Sequence, residues 1–186
     1  MGRIDSHAMS GREDRFCQDI RNRDQRCVIT GARNSKANMQ IGAWPGFEAA
    51  HIYPLKHEPL WISQGLSRWI SDMDNVKGCS KIHSAQNGFL LCSNVHSLYD
   101  QYFLAINPDD GYKVYVFCPD SFGYDGRVLD PVCRNPNDPH SVRDEILRWH
   151  FHQSILVNMR GAGEDTLEDD FPPRTDGIGE IGRAHV

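Results

Sequence analysis

Three short stretches of this 186-residue sequence carry side chains whose types and spacing suit acid–base or metal chemistry. In Ser93-Asn-Val-His-Ser-Leu-Tyr-Asp100 the pattern is helical. Ser93 is suited to cap the first turn, because its hydroxyl can accept an otherwise orphan backbone N–H. Val95, Leu98, Tyr99 and Tyr102 then fall on one side. His96 and Asp100 are four apart and project from the same face, where an imidazole and a carboxylate can share one divalent ion. Taken alone, such a pair is also an ordinary surface contact. The second stretch, Phe47-Glu-Ala-Ala-His-Ile52, places His51 near the end of an apolar strand. In the third, Asn87-Gly88 marks a turn, and Phe89 to Cys92 is an apolar run leading into the His96 helix.

The surrounding elements must hold these residues in place. Phe47 to Tyr53 reads as a strand stopped by Pro54. Alternation puts Phe47, Ala49 and His51 on one face, and Glu48, Ala50 and Ile52 on the other. Leu60 to Asp72 predicts one or two helices, and Asp74 to Ser84 a loop that brings Lys77, Lys81 and His83 near the second strand. Gly11 to Asp24 predicts a polar helix anchored by Phe16, Cys17 and Ile20. Cys27 to Thr30 is a short β-prone run. Phe103 to Asn107 and Lys113 to Cys118 predict a hairpin around Pro108-Asp-Asp-Gly111. After a long Gly/Pro/Asp-rich connection, Ser141 is expected to cap a second strong helix, with Val142, Ile146, Trp149, Leu156 and Val157 as its stripe and Gly161 as its stop. His150 and His152 on that helix read as packed or solvent-facing rather than functional. The fold class expected is α+β, a single domain over 11–173. Residues 1–10 read as a vector-derived or disordered leader and 174–186 as a flexible tail.

A histidine closing a strand, an Asn-Gly turn, and a histidine nine positions after that Asn together resemble the HNH endonuclease motif. The string from Ile82 to Phe117 is similar to that of fungal proteins with HNH domains, as is Arg-Trp-His-Phe…Asn-Met-Arg-Gly-Ala-Gly-Glu further on. The resemblance implies a ββα-metal finger embedded among extra helices and a hairpin, and a metal-dependent endonuclease that hydrolyses DNA. It assigns the general base to His51, loop positioning to Asn87, and metal ligation to His96, with Asp100 where some members carry a further ligand. Mg²⁺ or Mn²⁺ suits an octahedron completed by water and phosphate, with Zn²⁺ or Ni²⁺ as alternatives because one ligand is imidazole. The family usually has a ligand immediately before the base histidine. Here that residue is Ala50, and Glu48 on the same strand face is the candidate replacement. Lys77, Lys81 and His83 are candidate phosphate contacts.

The composition, 39% hydrophobic and 24% charged, is that of an ordinary globular protein. No apolar run approaches the ~18 residues of a membrane span, and no secretory signal opens the chain. An intracellular, reduced setting for the six cysteines is expected, and no Cys-x-x-Cys pair supports a zinc ribbon. The net charge of −5 argues against non-specific coating of DNA, since affinity for a duplex comes from neutralised phosphates. The sign is uneven, however. Arg12, Arg15, Arg21, Arg23, Arg26, Arg33 and Lys36 make the first part basic, and Glu164 to Asp170 is acidic. The missing ligand at Ala50 and the net charge keep a second reading open: an HNH-like module that binds nucleic acid or protein without cleaving. A third is other chemistry on the same scaffold, marked by a small closed pocket over His51. DNA, with RNA as a second class, is the expected partner.

Overall fold

A computed structural model describes residues 4–75 and 77–160, with side chains from residue 11 onward. Two antiparallel strands lie at its centre, β1 (Phe47–His51) and β2 (Gly88–Cys92). Their register sets Phe47 opposite Cys92, Ala49 opposite Leu90 and His51 opposite Gly88. One further bond, Ile52 N–H to the Asn87 carbonyl at 2.9 Å, closes the end of the ladder. Strand alternation then gives the sheet two apolar faces. Leu90 and Ala49 pack beneath helix α1 (Ile4–Asp24) against its buried Phe16 and Ile20. Ala50, Phe89 and Leu91 turn the other way, into the main core with Val95 and Tyr99 of α4 (Ser93–Asp100). The expected ββα arrangement is therefore present, and α1 forms an additional layer on its far side.

Gly88 shows why α1 can come so close. Its backbone is extended, with φ of −164°, so no turn conformation demands glycine there. A Cβ at this position would lie 2.5 Å from both Phe16 Cζ and Ile20 Cδ1. A buried ion pair fastens the same helix. Arg23 and Asp24 have side chains 5% and 0% exposed, with Arg23 Nε 2.6 Å from Asp24 Oδ1. The Arg23 guanidinium donates to the carbonyls of Ala85, Gly88 and His140. Asp24 accepts from the Leu90 N–H at 2.8 Å. Both charges thus find the partners that burial requires.

Helix α2 (Lys36–Gln40) is capped by the Ser35 hydroxyl. The Leu60–Asp72 stretch holds a short α3 (Glu58–Ser63) and a 3₁₀ turn over Leu66–Trp69. The second hairpin is β3 (Leu104–Asn107) with β4 (Lys113–Val116), and α5 (Asp144–Met159) packs on β3. The α+β class expected from the sequence is confirmed.

Several local expectations are corrected. Cys27–Thr30 is a buried turn, not a strand: Val28 N–H donates to Leu90 and its carbonyl accepts from Asp130, so the run is pinned between other elements. Strand β1 ends at His51, two residues early, because Asn87 captures the backbone of Tyr53. Ser93 is the first helical residue of α4, and Cys92 occupies the cap position without a side-chain bond. Ser141 caps nothing, since its hydroxyl donates to the Asn135 carbonyl, and α5 begins at Asp144. The expected stop at Gly161 and the acidic stretch 164–170 lie outside the described residues. Among the described residues, no helix is long and apolar enough to cross a membrane. The six cysteines are free thiols.

Candidate active site

The i,i+4 spacing on α4 does what helical geometry dictates. His96 Nε2 lies 3.1 Å from Asp100 Oδ2. The other ring nitrogen, Nδ1, meets Glu48 Oε2, reaching across from β1. Glu48 and Ala50 do share the face toward α4, as alternation predicts, but only Glu48 stands at the rim. Ala50 is fully buried in the core. An imidazole held between two carboxylates favours its protonated form, and Asp100 first, then Glu48, raises the His96 pKa to about 9 against the opposing effect of burial. His96, Asp100 and Glu48 supply one nitrogen and two carboxylate donors, a set that suits hard to borderline divalent cations. Glu48 and Asp100 sit on opposite edges of the ring, however. Among the described residues, no three His, Cys, Asp or Glu side chains are grouped to hold a metal ion. The donors fit a two-ligand site, His96 Nε2 with Asp100, in which Glu48 orients the ring from behind.

Asn87 lies under this arrangement and is completely buried. Its Oδ1 accepts from the Tyr53 N–H at 2.8 Å, and its Nδ2 donates to the carbonyls of Ile82 at 2.9 Å and Tyr53 at 3.3 Å. It clamps the chain two residues after His51 to the chain five residues before itself. Its side chain thus holds the Tyr53 and Ile82 segments together.

His51 is on the opposite face of β1 from Glu48. Its ring stacks on Phe16, with centroids 3.9 Å apart and planes 7° from parallel. Its Nε2 is 3.3 Å from Nδ1 of His83. Burial first, then the neighbouring His83, pushes the His51 pKa down to about 3; Asp100 opposes this and His96 adds to it. At neutral pH the ring is therefore an uncharged proton acceptor. His83 is also shifted down by burial.

Beyond His83 the surface opens into two adjoining depressions of about 210 and 350 Å³, both lined by Arg12, Met73, Cys79 and His83. Lys81 and Glu58 complete the smaller; Arg15, His140 and three aspartates belong to the larger. Neither is a small closed pocket over His51. Lys81 is in the left-handed backbone region (φ 59°) and mostly buried, whereas Lys77 is exposed and lines neither depression. The basic N-terminal stretch divides in the same way. Arg12 and Arg15 face the groove, while Arg23 and Arg26 are committed to Asp24 and Asp130.

Residues 27–107 match the family model described as HNH endonuclease. This segment is similar to the HNH endonuclease family. It contains all four of His51, Asn87, His96 and Asp100, and the resemblance read from the sequence is borne out over this span. The HNH segment ends at β3, so α1, β4 and α5 lie outside it. One solved structure, "Modification dependent TagI restriction endonuclease", is 19% identical with a TM-score of 0.44 over 75% of this chain. The alignment covers 37% of that protein. No curated protein matches.

Two features around the HNH segment are not read from the sequence, which offers Phe16 only as a helix anchor and His83 only as a phosphate contact. No local signal joins Phe16, His51 and His83, which are brought together by packing alone.

Proposed function

We propose that this chain is a divalent-metal-dependent HNH endonuclease that hydrolyses DNA phosphodiester bonds. The observation that carries the reading is the convergence of the HNH residues on one hairpin and helix. Asn87 pins the loop that follows His51, and β1 brings Glu48 to the His96–Asp100 pair. His51 is the general base. Its neutral ring takes the proton of the attacking water, and Phe16 holds the ring in a fixed plane. Asn87 is a positioning residue, acting through Tyr53 and Ile82 rather than on substrate. Members of the family generally use a divalent metal ion. His96 Nε2 and Asp100 would hold it, and when bound it stabilises charge on the phosphoryl oxygens and on the departing 3′ oxygen. Glu48 fixes the His96 ring. Mg²⁺ or Mn²⁺ suits the carboxylate-and-water character of so open a site, with Zn²⁺ or Ni²⁺ as alternatives. Arg12 along the smaller depression would receive phosphates of the strand, with Lys81 in its wall and Glu58 as the acid among them.

Plasmid nicking by purified protein with each of these ions tests the reading, with His51→Ala and His96→Ala beside the wild type. Cleavage that needs both histidines supports it. Absence of cleavage with every ion, under conditions where a control HNH enzyme cuts, favours a non-catalytic binding module. RNA cut in preference to DNA would correct the substrate.

A further inference from the structure

A base half-buried against Phe16, as His51 is, presents a chemical difficulty. Burial under Phe16 keeps the ring neutral and ready to accept, but the same burial opposes the imidazolium that forms when it does. A proton taken from water must be stabilised or passed on. The polar group beside the ring's far nitrogen is His83, at 3.3 Å.

Resting on the assignment of His51 as base, we propose that His83 is its proton-accepting partner, so that the base of this enzyme is a two-histidine relay opening onto the groove. For His51 Nδ1 to receive a proton, Nε2 must already carry one and donate it to His83 Nδ1. This leaves His83 with its hydrogen on Nε2. The relay is then a balanced transfer. The water O–H bond breaks, and its proton forms an N–H bond at His51 Nδ1. The His51 Nε2–H proton moves to His83 Nδ1, and the His83 Nε2–H proton leaves to solvent in the groove that His83 lines. The hydroxide joins phosphorus as the P–O3′ bond breaks, and the departing 3′ oxygen takes a proton from solvent. Neither ring holds a net charge afterwards, and exchange with solvent restores the starting tautomers. Two features support the relay beyond the contact itself. The rings lie edge to face, with planes 71° apart and centroids at 5.2 Å, so the nitrogens and not the faces meet. Phe16 also packs edge-on against His83, closing the apolar side of the pair.

The charged groups around the pair come from several elements. Asp100 and His96 of α4 act on His51; Glu58 of α3, with Glu13 and Arg12 of α1, act on His83. Any pH profile has to be read against substitutions in these residues.

The first measurement is nitrogen NMR of the histidine rings in metal-free protein. His51 is expected as the Nε2–H tautomer, with that preference lost in His83→Ala. A wild-type His51 found as Nδ1–H overturns the proposal, whether or not cleavage is detected. The second is cleavage kinetics under the best ion. His83→Ala should lower kcat by about 10- to 100-fold, within the usual range for proton-transfer groups, with KM little changed. Added imidazole should restore part of the rate and shift the pH profile, whereas His83→Gln, which can hydrogen-bond but not relay, should stay slow. Full activity in His83→Gln would reduce His83 to a structural contact. A raised KM with unchanged kcat and a weaker salt dependence would make it a phosphate ligand, and either result overturns the relay. His51→Ala, assayed alongside, keeps the two ideas apart. If it remains active, the base assignment itself has failed; if it is dead while His83→Ala is normal, only the relay has.

Discussion

Replacing Asn87 with alanine removes a side chain whose bonds are all internal. Two of them are well made, from Tyr53 N–H at 2.8 Å and to the Ile82 carbonyl at 2.9 Å; the third, to the Tyr53 carbonyl, is longer at 3.3 Å. Asn87 is 0% exposed, so water cannot readily replace it. Leaving a buried polar group unpaired costs about 1–3 kcal/mol, so the two strong partners alone imply a loss of roughly 2–6 kcal/mol. Set against a typical total of about 5–15 kcal/mol, such a loss is readily measured. Urea unfolding followed by tryptophan fluorescence is well placed to read it, because buried Trp61 packs edge-on against Tyr53 at 4.9 Å. Cleavage by the folded fraction should also fall, since Tyr53 no longer fixes the chain after His51. A stability loss below about 1 kcal/mol would refute the clamp, since even one orphaned buried group should cost that much. Lost activity with unchanged melting would move Asn87 into contact with substrate. Asn87→Asp sharpens the test, because it keeps the shape and the acceptor but turns an acceptor oxygen toward two carbonyls. Burial raises its folded pKa above the unfolded value of about 4. Its stability should therefore be best below that value and decline as pH rises through the folded pKa.

Ala50→Asp should destabilise by several kcal/mol without tightening Mn²⁺ binding, because the carboxylate would be buried unpaired in the core and not beside His96; a folded variant with higher affinity by calorimetry would show that this position reaches the ion. Gly88→Ala should cost about 1–3 kcal/mol by overpacking, with Phe16 and Ile20 each 2.5 Å from the new Cβ. It should also disturb the ring current of Phe16 on His51 in NMR spectra; wild-type melting and shifts would contradict the close approach. Arg23→Ala leaves Asp24 buried without its partner and should cost about 3–5 kcal/mol, whereas a loss under 1 kcal/mol in urea unfolding would mean that α1 is held by Phe16 and Ile20 alone. In metal-free protein His96 titrates near pH 9, raised by Asp100 and Glu48. Its folded pKa exceeds the unfolded value of about 6.5, so its stabilisation is complete below that value and is lost as pH rises through about 9. Glu48→Gln should lower the His96 midpoint in an NMR titration, and an unchanged midpoint would mean that the Glu48 contact is not formed in solution.

The parts of this protein that obey a short period were legible in the sequence. Helical spacing sufficed to join His96 to Asp100, and strand alternation sufficed to set Glu48 and Ala50 against His51, because both follow from backbone geometry over a few residues. The hairpin of β3 and β4 was read from its turn, and the HNH resemblance from His51, Asn87 and His96. What packing decided is of another kind. Alternation put Ala50 and Glu48 on one face, but only the descent of α4 onto that face buries the first and leaves the second at the rim. Glu48 could be expected near an ion; which ring nitrogen of His96 it meets depends on where β1 and α4 settle against each other. Ser93 and Ser141 have the chemistry of helix caps, yet tertiary bonds elsewhere set the start of α5 and shift that of α4. The pairing of His51 with His83, and the stacking of Phe16 on His51, join segments that have no periodic relation. Local sequence determines which side chains an element presents, whereas their partners are chosen when α1, the hairpin and the 81–87 loop exclude water from one another.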